Sequence, residues 1–203
     1  MVESIRIGGV APNFITIGVY KNKLGKIRLS DYHGKKYVIL IFYPANFTSI
    51  STTELTILSD RICEFRNLST QILAISGDSP FSHIHYLLSK RSQGGLGELN
   101  YPLISDLNQT ITSNYQLLTS EGLTLPGVFI IDKEGIIQYY TVNNLLCGRS
   151  VNEILRILQS IQYIKKNPGQ VCSVDWKVGD KILHSHPLKS KIYFKTLYSH
   201  KTT

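Results

Sequence analysis

The chain is poor in cysteine and in acidic residues. Its 203 residues include only three cysteines, and 22 basic side chains outnumber 14 acidic ones, which gives a net charge of +8. Three widely spaced cysteines cannot form a disulfide framework, and no Cys-x-x-Cys or Cys/His cluster predicts a zinc site. We therefore expect neither a metal nor a cofactor, and each thiol has to be considered by itself.

Long apolar runs are also missing. The longest run, residues 37–43, has the length of a strand and falls far short of the roughly 20 residues that a membrane span needs. The first ten residues have neither the apolar stretch of a secretory signal nor the composition of a transit peptide. These absences predict a soluble intracellular protein that does not bind membranes.

Alanine is scarce as well. It occurs only at positions 11, 45 and 74, whereas isoleucine, asparagine and lysine abound. Such a bias is typical of an AT-rich genome and carries no chemistry of its own. It indicates a plastid or another organelle as the compartment, with the cytoplasm as the alternative.

The positive charge is concentrated in two stretches. Residues 176–203 contain six lysines and one acid, and residues 21–36 form a second basic stretch. Neither stretch carries an arginine-rich helix or a known nucleic-acid motif, so a solvated basic tail is the favoured interpretation. Nucleic-acid binding is disfavoured, although weak attraction to polyanions is compatible with this charge.

Strand patterns alternate with helical patterns over the first 165 residues. Strands are predicted at residues 37–43 and 71–76, helices at 51–66, 81–90 and 150–164, and a hairpin at 127–132 and 136–142. This order predicts an α/β fold with a sheet covered on both faces by helices. After Asn167-Pro168-Gly169 the pattern ends, so residues 166–203 are predicted to form a partner-binding arm.

One loop and the helix after it carry the chemistry. Residues 42–54 read Phe-Tyr-Pro-Ala-Asn-Phe-Thr-Ser-Ile-Ser-Thr-Thr-Glu. The segment resembles the active-site loop of the peroxiredoxins, thiol peroxidases built on the thioredoxin fold, whose signature is Pro-x-x-x-Thr-x-x-Cys at the start of a helix. Pro44 and Thr48 match that signature, and Ser51 stands in place of the nucleophilic cysteine.

Further similarities extend along nearly the whole chain. They include Ala11-Pro12-Asn13-Phe14, Gly94-Gly95-Leu96-Gly97, Phe129-Ile130-Ile131-Asp132 and Gly148-Arg149-Ser150-Val151. Cys172 with Trp176 resembles the resolving-cysteine segment of the typical two-cysteine subfamily, and Tyr193-Phe194 resembles its C-terminal Tyr-Phe pair. Together these segments indicate the family more specifically than any one of them does alone.

The resemblance implies a fold, an activity and partners. The fold is a thioredoxin-type domain over residues 1–165, with a central mixed sheet and helices on both faces, followed by an arm over 166–203. The activity is reduction of hydrogen peroxide and organic hydroperoxides with electrons from thioredoxin. The implied assembly is a homodimer or a ring of dimers. In the implied active site, the hydroxyl of Thr48 orients the peroxide, and an ion pair between Glu54 and Arg149 supports the site.

Three departures from the family pattern predict weak peroxidase activity or none. A peroxidatic cysteine reacts as a thiolate and is oxidised to a sulfenic acid. The serine hydroxyl at position 51 is far less acidic than a thiol, and its oxygen cannot be oxidised in the same way. Pro126 stands where the family has the arginine that polarises the peroxide, and Thr52 stands where it has a proline.

Three functions remain open. The first is assembly with an active paralogue, whose sulfenic acid Cys172 could resolve. The second is residual thiol peroxidase activity through Cys147 or Cys172. The third is a non-enzymatic holdase or scaffold role.

Simple structural roles are expected for the remaining candidates. Ser51 and Glu54 fit a capping box at the start of their helix. Serine hydrolase chemistry is disfavoured, because no Gly-x-Ser-x-Gly elbow is present. Cys63 and Cys147 are expected to be ordinary buried cysteines.

Overall fold

The computed structural model describes residues 4–198 and consists of nine strands and six α-helices in that range. In chain order these are β1 (Ile15–Tyr20), β2 (Lys23–Arg28), β3 (Tyr37–Phe42), α1 (Ser49–Asp60), α2 (Ile62–Asn67), β4 (Thr70–Ser76), α3 (Pro80–Leu88), β5 (Leu103–Ser105), α4 (Thr110–Asn114), β6 (Gly127–Ile131), β7 (Ile137–Val142), α5 (Val151–Lys166), β8 (Gln170–Val171), β9 (Leu183–His184) and α6 (Pro187–Tyr198).

Seven strands form one mixed sheet in the order β2-β1-β5-β4-β3-β6-β7. Strand β4 is parallel to both β3 and β5, whereas β6 is antiparallel to β3 and to β7. Every residue of β3 is buried, as its unbroken run of β-forming apolar side chains predicts for a central strand. The predicted α/β class and mixed central sheet are confirmed.

Aromatic side chains fill the centre of the core. The ring of Phe42 lies 5.2 Å from that of Tyr115 and 5.8 Å from that of Phe129, centroid to centroid. All three are buried in one cluster with apolar residues of β3, β4, β5 and β6. Burial of each such side chain contributes about 1.5–3 kcal/mol, so this cluster holds the central strands in place.

The helix predicted over residues 51–66 is two helices. Arg61, with φ −98° and ψ 14°, separates α1 from α2. The predicted capping box is wrong, because Thr48 is the N-cap of α1 and Ser51 lies inside its first turn. The Glu54 carboxylate turns instead to Arg149, a stronger, charge-assisted partner.

The chain divides into two compact units between Val151 and Asn152. The second unit contains α5, the β8–β9 pair and α6, so the C-terminal segment is more ordered than its weak pattern predicts. Trp176 is buried in this unit, and its ring lies 4.9 Å from that of Tyr163. The domain boundary at residues 165 and 166 stays a prediction.

Over residues 4–198, no helix is long and apolar enough to cross a membrane. In the same range no group of three or more His, Cys, Asp or Glu side chains is arranged to hold a metal ion.

Candidate active site

The candidate site begins where the chain leaves the central sheet. The backbone N–H of Tyr43 still donates to the carbonyl oxygen of Ile75 on β4, at 3.0 Å. The chain then turns through Phe47, which has a positive φ of 61°, and enters α1 at Ser49. This short connection places the first turn of α1 directly beyond the carboxyl end of β3.

Five of the residues singled out from the sequence line one pocket of about 250 Å³: Pro44, Thr48, Ser51, Glu54 and Pro126. The other lining residues are Ser49, Ile50, Leu123, Leu145 and Leu146. Among the described residues, those that line the pocket include no basic side chain. The place of these leucines in the pocket was not predicted, although Leu145 and Leu146 directly precede Cys147.

The hydroxyl of Ser51 is committed to the helix start. Ser51 is only 2% exposed, and its Oγ lies 2.6 Å from Oγ1 of Thr48. Oγ1 of Thr48 also lies 3.0 Å from the carbonyl oxygen of Ala45. Thr48 is the donor to Ser51 in this geometry, so the carbonyl oxygen of Ala45 is a second acceptor for the same hydroxyl proton. The Ser51 hydroxyl oxygen therefore accepts a hydrogen bond, and among the described residues its side-chain partner is not a base.

Glu54 and Arg149 form a buried ion pair beneath the pocket. The exposed fractions of their side chains are 7% and 3%. The carboxylate accepts from Nε and Nη2 of the guanidinium and from the backbone N–H of Arg149. Nη1 of Arg149 donates to the carbonyl oxygens of Phe42 and Gly127, at 2.7 and 2.8 Å. The guanidinium thus ties α1 to the ends of β3 and β6.

A buried polar cluster behind the loop was not predicted. The hydroxyl of Tyr43 donates to Oδ1 of Asn46 at 2.9 Å, and Nδ2 of Asn46 lies 3.2 Å from Nδ1 of His83. The backbone N–H of Asn46 donates to the Asp78 carboxylate at 2.8 Å. Burial lowers the pKa of the fully buried His83, although the nearby charge of Asp78 opposes the shift. Its contacts with Tyr43 and Asn46 make His83 part of the support of the loop.

Two of the three thiols differ from expectation. Cys63 on α2 and Cys147 after β7 are both exposed, so the prediction that they are buried is wrong. Cys63 lies off the apolar stripe because its neighbours Ile62 and Phe65 occupy the buried positions. Cys147 Sγ has only a weak contact with the carbonyl oxygen of Gly148, at 3.9 Å.

Cys172 lies in the second unit and is half-buried. Its burial raises the pKa of the thiol, while the Ser160 hydroxyl and the charge of Arg156 oppose that rise. The rings of Tyr193 and Phe194 on α6 meet edge to face, with centroids 5.8 Å apart. The raised pKa keeps the Cys172 thiol protonated at neutral pH.

A known fold and family account for this arrangement. The reduced 2-Cys peroxiredoxin of Plasmodium vivax superposes with a TM-score of 0.90 at 34% identity, over 93% of this chain and 98% of that one. The fold is accordingly that of thioredoxin, in its peroxiredoxin form.

Sequence comparisons agree with the fold. Residues 7–140 match the AhpC/TSA family. The ycf42 protein of Trieres chinensis is 74% identical over 99% of this chain and 98% of its own length. The chloroplastic 2-cysteine peroxiredoxin of Chattonella marina var. antiqua is 53% identical over 96% of this chain and its entire length. The chain belongs to the AhpC/TSA family and, by its relatives, to the 2-Cys peroxiredoxins.

Proposed function

We propose that this peroxiredoxin has little or no peroxidase activity of its own and acts in mixed oligomers with an active paralogue. The observation that carries the proposal is Ser51, which occupies the first turn of α1 with its hydroxyl bonded to Thr48. A hydroxyl cannot reduce peroxide by becoming a sulfenic acid. The chloroplastic relative supports a plastid as the compartment.

The surroundings of Ser51 support the same proposal. Pro126 lines the pocket at the position of the family's arginine, and the guanidinium of Arg149 is already engaged with Glu54 and two carbonyl oxygens. No cation is left in the described pocket to stabilise a thiolate or to polarise a peroxide. Among the described residues, the pocket therefore lacks both the thiol and the free cation that the peroxidase reaction uses.

Cys172 supports the assembly role. In a mixed dimer its thiol would attack the sulfenic acid of the active paralogue, forming an intersubunit disulfide and releasing water. The paralogue's sulfur is reduced and the sulfur of Cys172 is oxidised, so no further reactant is required. A second copy of this chain offers only Ser51, so a homodimer or a ring of its own dimers forms no such bond.

Peroxide consumption tests the missing activity. We expect the purified chain to consume hydrogen peroxide with a thioredoxin system no faster than a protein-free control. Ser51→Cys should restore little activity, and Ser51→Cys combined with Pro126→Arg should restore more, since only the double variant regains a cation. Full activity in the single variant would contradict the proposal that Pro126, in place of an arginine, limits the activity.

A mixing experiment tests the assembly role. The chain and an active two-cysteine peroxiredoxin from the same plastid are combined, treated with peroxide and separated on a non-reducing gel. We expect a mixed disulfide that Cys172→Ser abolishes and Cys63→Ser leaves intact. If no mixed disulfide forms, the assembly role is wrong.

Cys147 favours a second candidate, residual peroxidase activity. It is exposed and directly follows Leu145 and Leu146, which line the pocket. Peroxide turnover by the unmodified chain that Cys147→Ala abolishes would establish this alternative and overturn the main proposal.

A further inference from the structure

A second cavity lies beside the β1–β2 hairpin. Its volume is about 430 Å³, within the usual range of small-molecule sites, and it shares no lining residue with the Ser51 pocket. The hairpin forms one wall, and the segment after β2, the end of α2 and the start of β4 form the others. All of these elements belong to the first compact unit.

Two glycines lie in one wall of this cavity, and at Gly25 the backbone is bare. Gly18 and Gly25 lie opposite each other in the β1–β2 register, and both line the cavity. A Cβ at Gly18 would lie 2.4 Å from Cδ1 of Ile27, so packing within the protein explains that glycine. A Cβ at Gly25 would meet nothing within 4 Å. Glycine weakens a strand, and in a strand interior it often marks the close approach of a ligand.

Two tyrosines flank this bare surface. Tyr20 at the end of β1 and Tyr32 in the 3-10 turn after β2 both line the cavity. Tyr32 is partly buried and packs against the main core cluster, so its ring is held in place. Nζ of Lys21 lies 5.7 Å from the centroid of the Tyr20 ring. The tyrosine rings and the bare backbone suit a flat aromatic group.

Three cations line the same cavity: Lys23, Lys36 and Arg66. No aspartate or glutamate is among the lining residues in the described part of the chain. Nη2 of Arg66 donates to the carbonyl oxygen of Asn100 at 2.9 Å, which orients the guanidinium and leaves its other N–H groups for a ligand. A concave surface with charge of one sign concentrates small anions.

We propose that this cavity binds a small aromatic molecule that carries phosphate, the chemical class of the mononucleotides. The aromatic group lies on the glycine surface between the tyrosines, and the phosphate accepts hydrogen bonds from the cations. Arg and Lys both form charge-assisted hydrogen bonds to phosphate, Arg in a fixed fork and Lys as a point charge. The proposal is independent of the chemistry at Ser51.

Calorimetric titration of the full chain with AMP, adenosine and inorganic phosphate tests the proposal. We expect AMP to bind at least tenfold more tightly than either of the other two, because only AMP uses both halves of the site. Lys36→Ala should weaken AMP binding about tenfold, the loss typical of one charged hydrogen bond. Gly25→Val should weaken it further, since its side chain enters the open space and suits a strand.

Lys26→Ala is the matched control. Lys26 lies on the same strand as Lys23 but does not line the cavity, because alternate residues of a strand face opposite sides. AMP affinity should be unchanged in this variant, and circular dichroism should show that all variants are folded. No AMP binding at millimolar concentration, equal affinity for phosphate and AMP, or an equal loss in Lys26→Ala would overturn the proposal.

Discussion

The buried pair of Glu54 and Arg149 allows a quantitative test of what holds the candidate site together. The change is Glu54→Gln, which keeps the shape of the side chain and removes its charge. Among the described residues the carboxylate accepts only from groups of Arg149, and both side chains are almost fully buried. The NH2 group of the new glutamine would face N–H donors of Arg149, and the charge of the guanidinium would no longer be compensated.

Breaking a buried ion pair on one side costs about 3–5 kcal/mol. Domains of ordinary stability have a free energy of unfolding of about 5–15 kcal/mol, so the loss is a large share of the total. Asp60→Asn is the matched control, because it makes the same chemical change in the exposed pair with Arg91, whose side chains are 58% and 44% exposed. An exposed pair contributes about 0–1 kcal/mol.

Urea unfolding followed by far-ultraviolet circular dichroism measures both losses. The single tryptophan, Trp176, is a poor probe because it lies in the second unit. Protein concentration is held constant, since the stability of an oligomer depends on it, and only variants with unchanged slopes are compared. If Glu54→Gln and Asp60→Asn lose stability to within about 1 kcal/mol of each other, the buried pair does not support the site as argued.

Three further outcomes follow from individual contacts. Burial lowers the pKa of His83, so the unfolded chain is protonated at a higher pH than the folded one. The free energy of unfolding is therefore unaffected by this group above its unfolded pKa of about 6.5, and it decreases as the pH drops below that value. Urea titrations across pH should show this loss shrink in His83→Gln and persist in the exposed His85→Gln. Because its pKa is raised, Cys172 should react with iodoacetamide more slowly than exposed Cys63 at pH 8, and its rate should keep rising at higher pH; equal rates in peptide mass spectrometry would contradict this. Gly95→Ala should lower stability by about 1–3 kcal/mol, since its Cβ would lie 2.3 Å from the carbonyl oxygen of Ser89, and an unchanged melting temperature would refute the clash.

Much of the fold was predictable because its central elements have strong local patterns. The apolar run at residues 37–43 became β3, and the Lys133-Glu134-Gly135 turn joined β6 to β7 as expected. The first hairpin was missed because its turn residues, Lys21 and Asn22, have positive φ without a glycine to signal it. Helix α6 was missed because it has no buried residue, so no apolar stripe marks it.

For the candidate site, the sequence predicted which residues take part but not how they bond to one another. The family motif brought Pro44, Thr48, Ser51 and Glu54 into view, and these residues share a pocket. Their hydrogen bonds were not predictable, because capping preferences describe an isolated helix end and ignore tertiary partners. Arg149 lies 95 residues from Glu54 in the chain and binds the carboxylate that the capping box would have used. A local sequence pattern cannot predict this partner, because it contains only neighbouring residues.

The contacts of Arg149 change what the retained residues mean. Glu54 and Arg149 look like evidence for surviving catalysis, yet their hydrogen bonds join α1 to carbonyl oxygens at the end of β3 and at the start of β6. A fold that needs this connection keeps both residues whether or not the protein reduces peroxide. Positions 51 and 126 differ, because they face the pocket and no ion pair depends on them. Variants at these two positions should therefore preserve the fold, and any activity they restore reports on the chemistry alone.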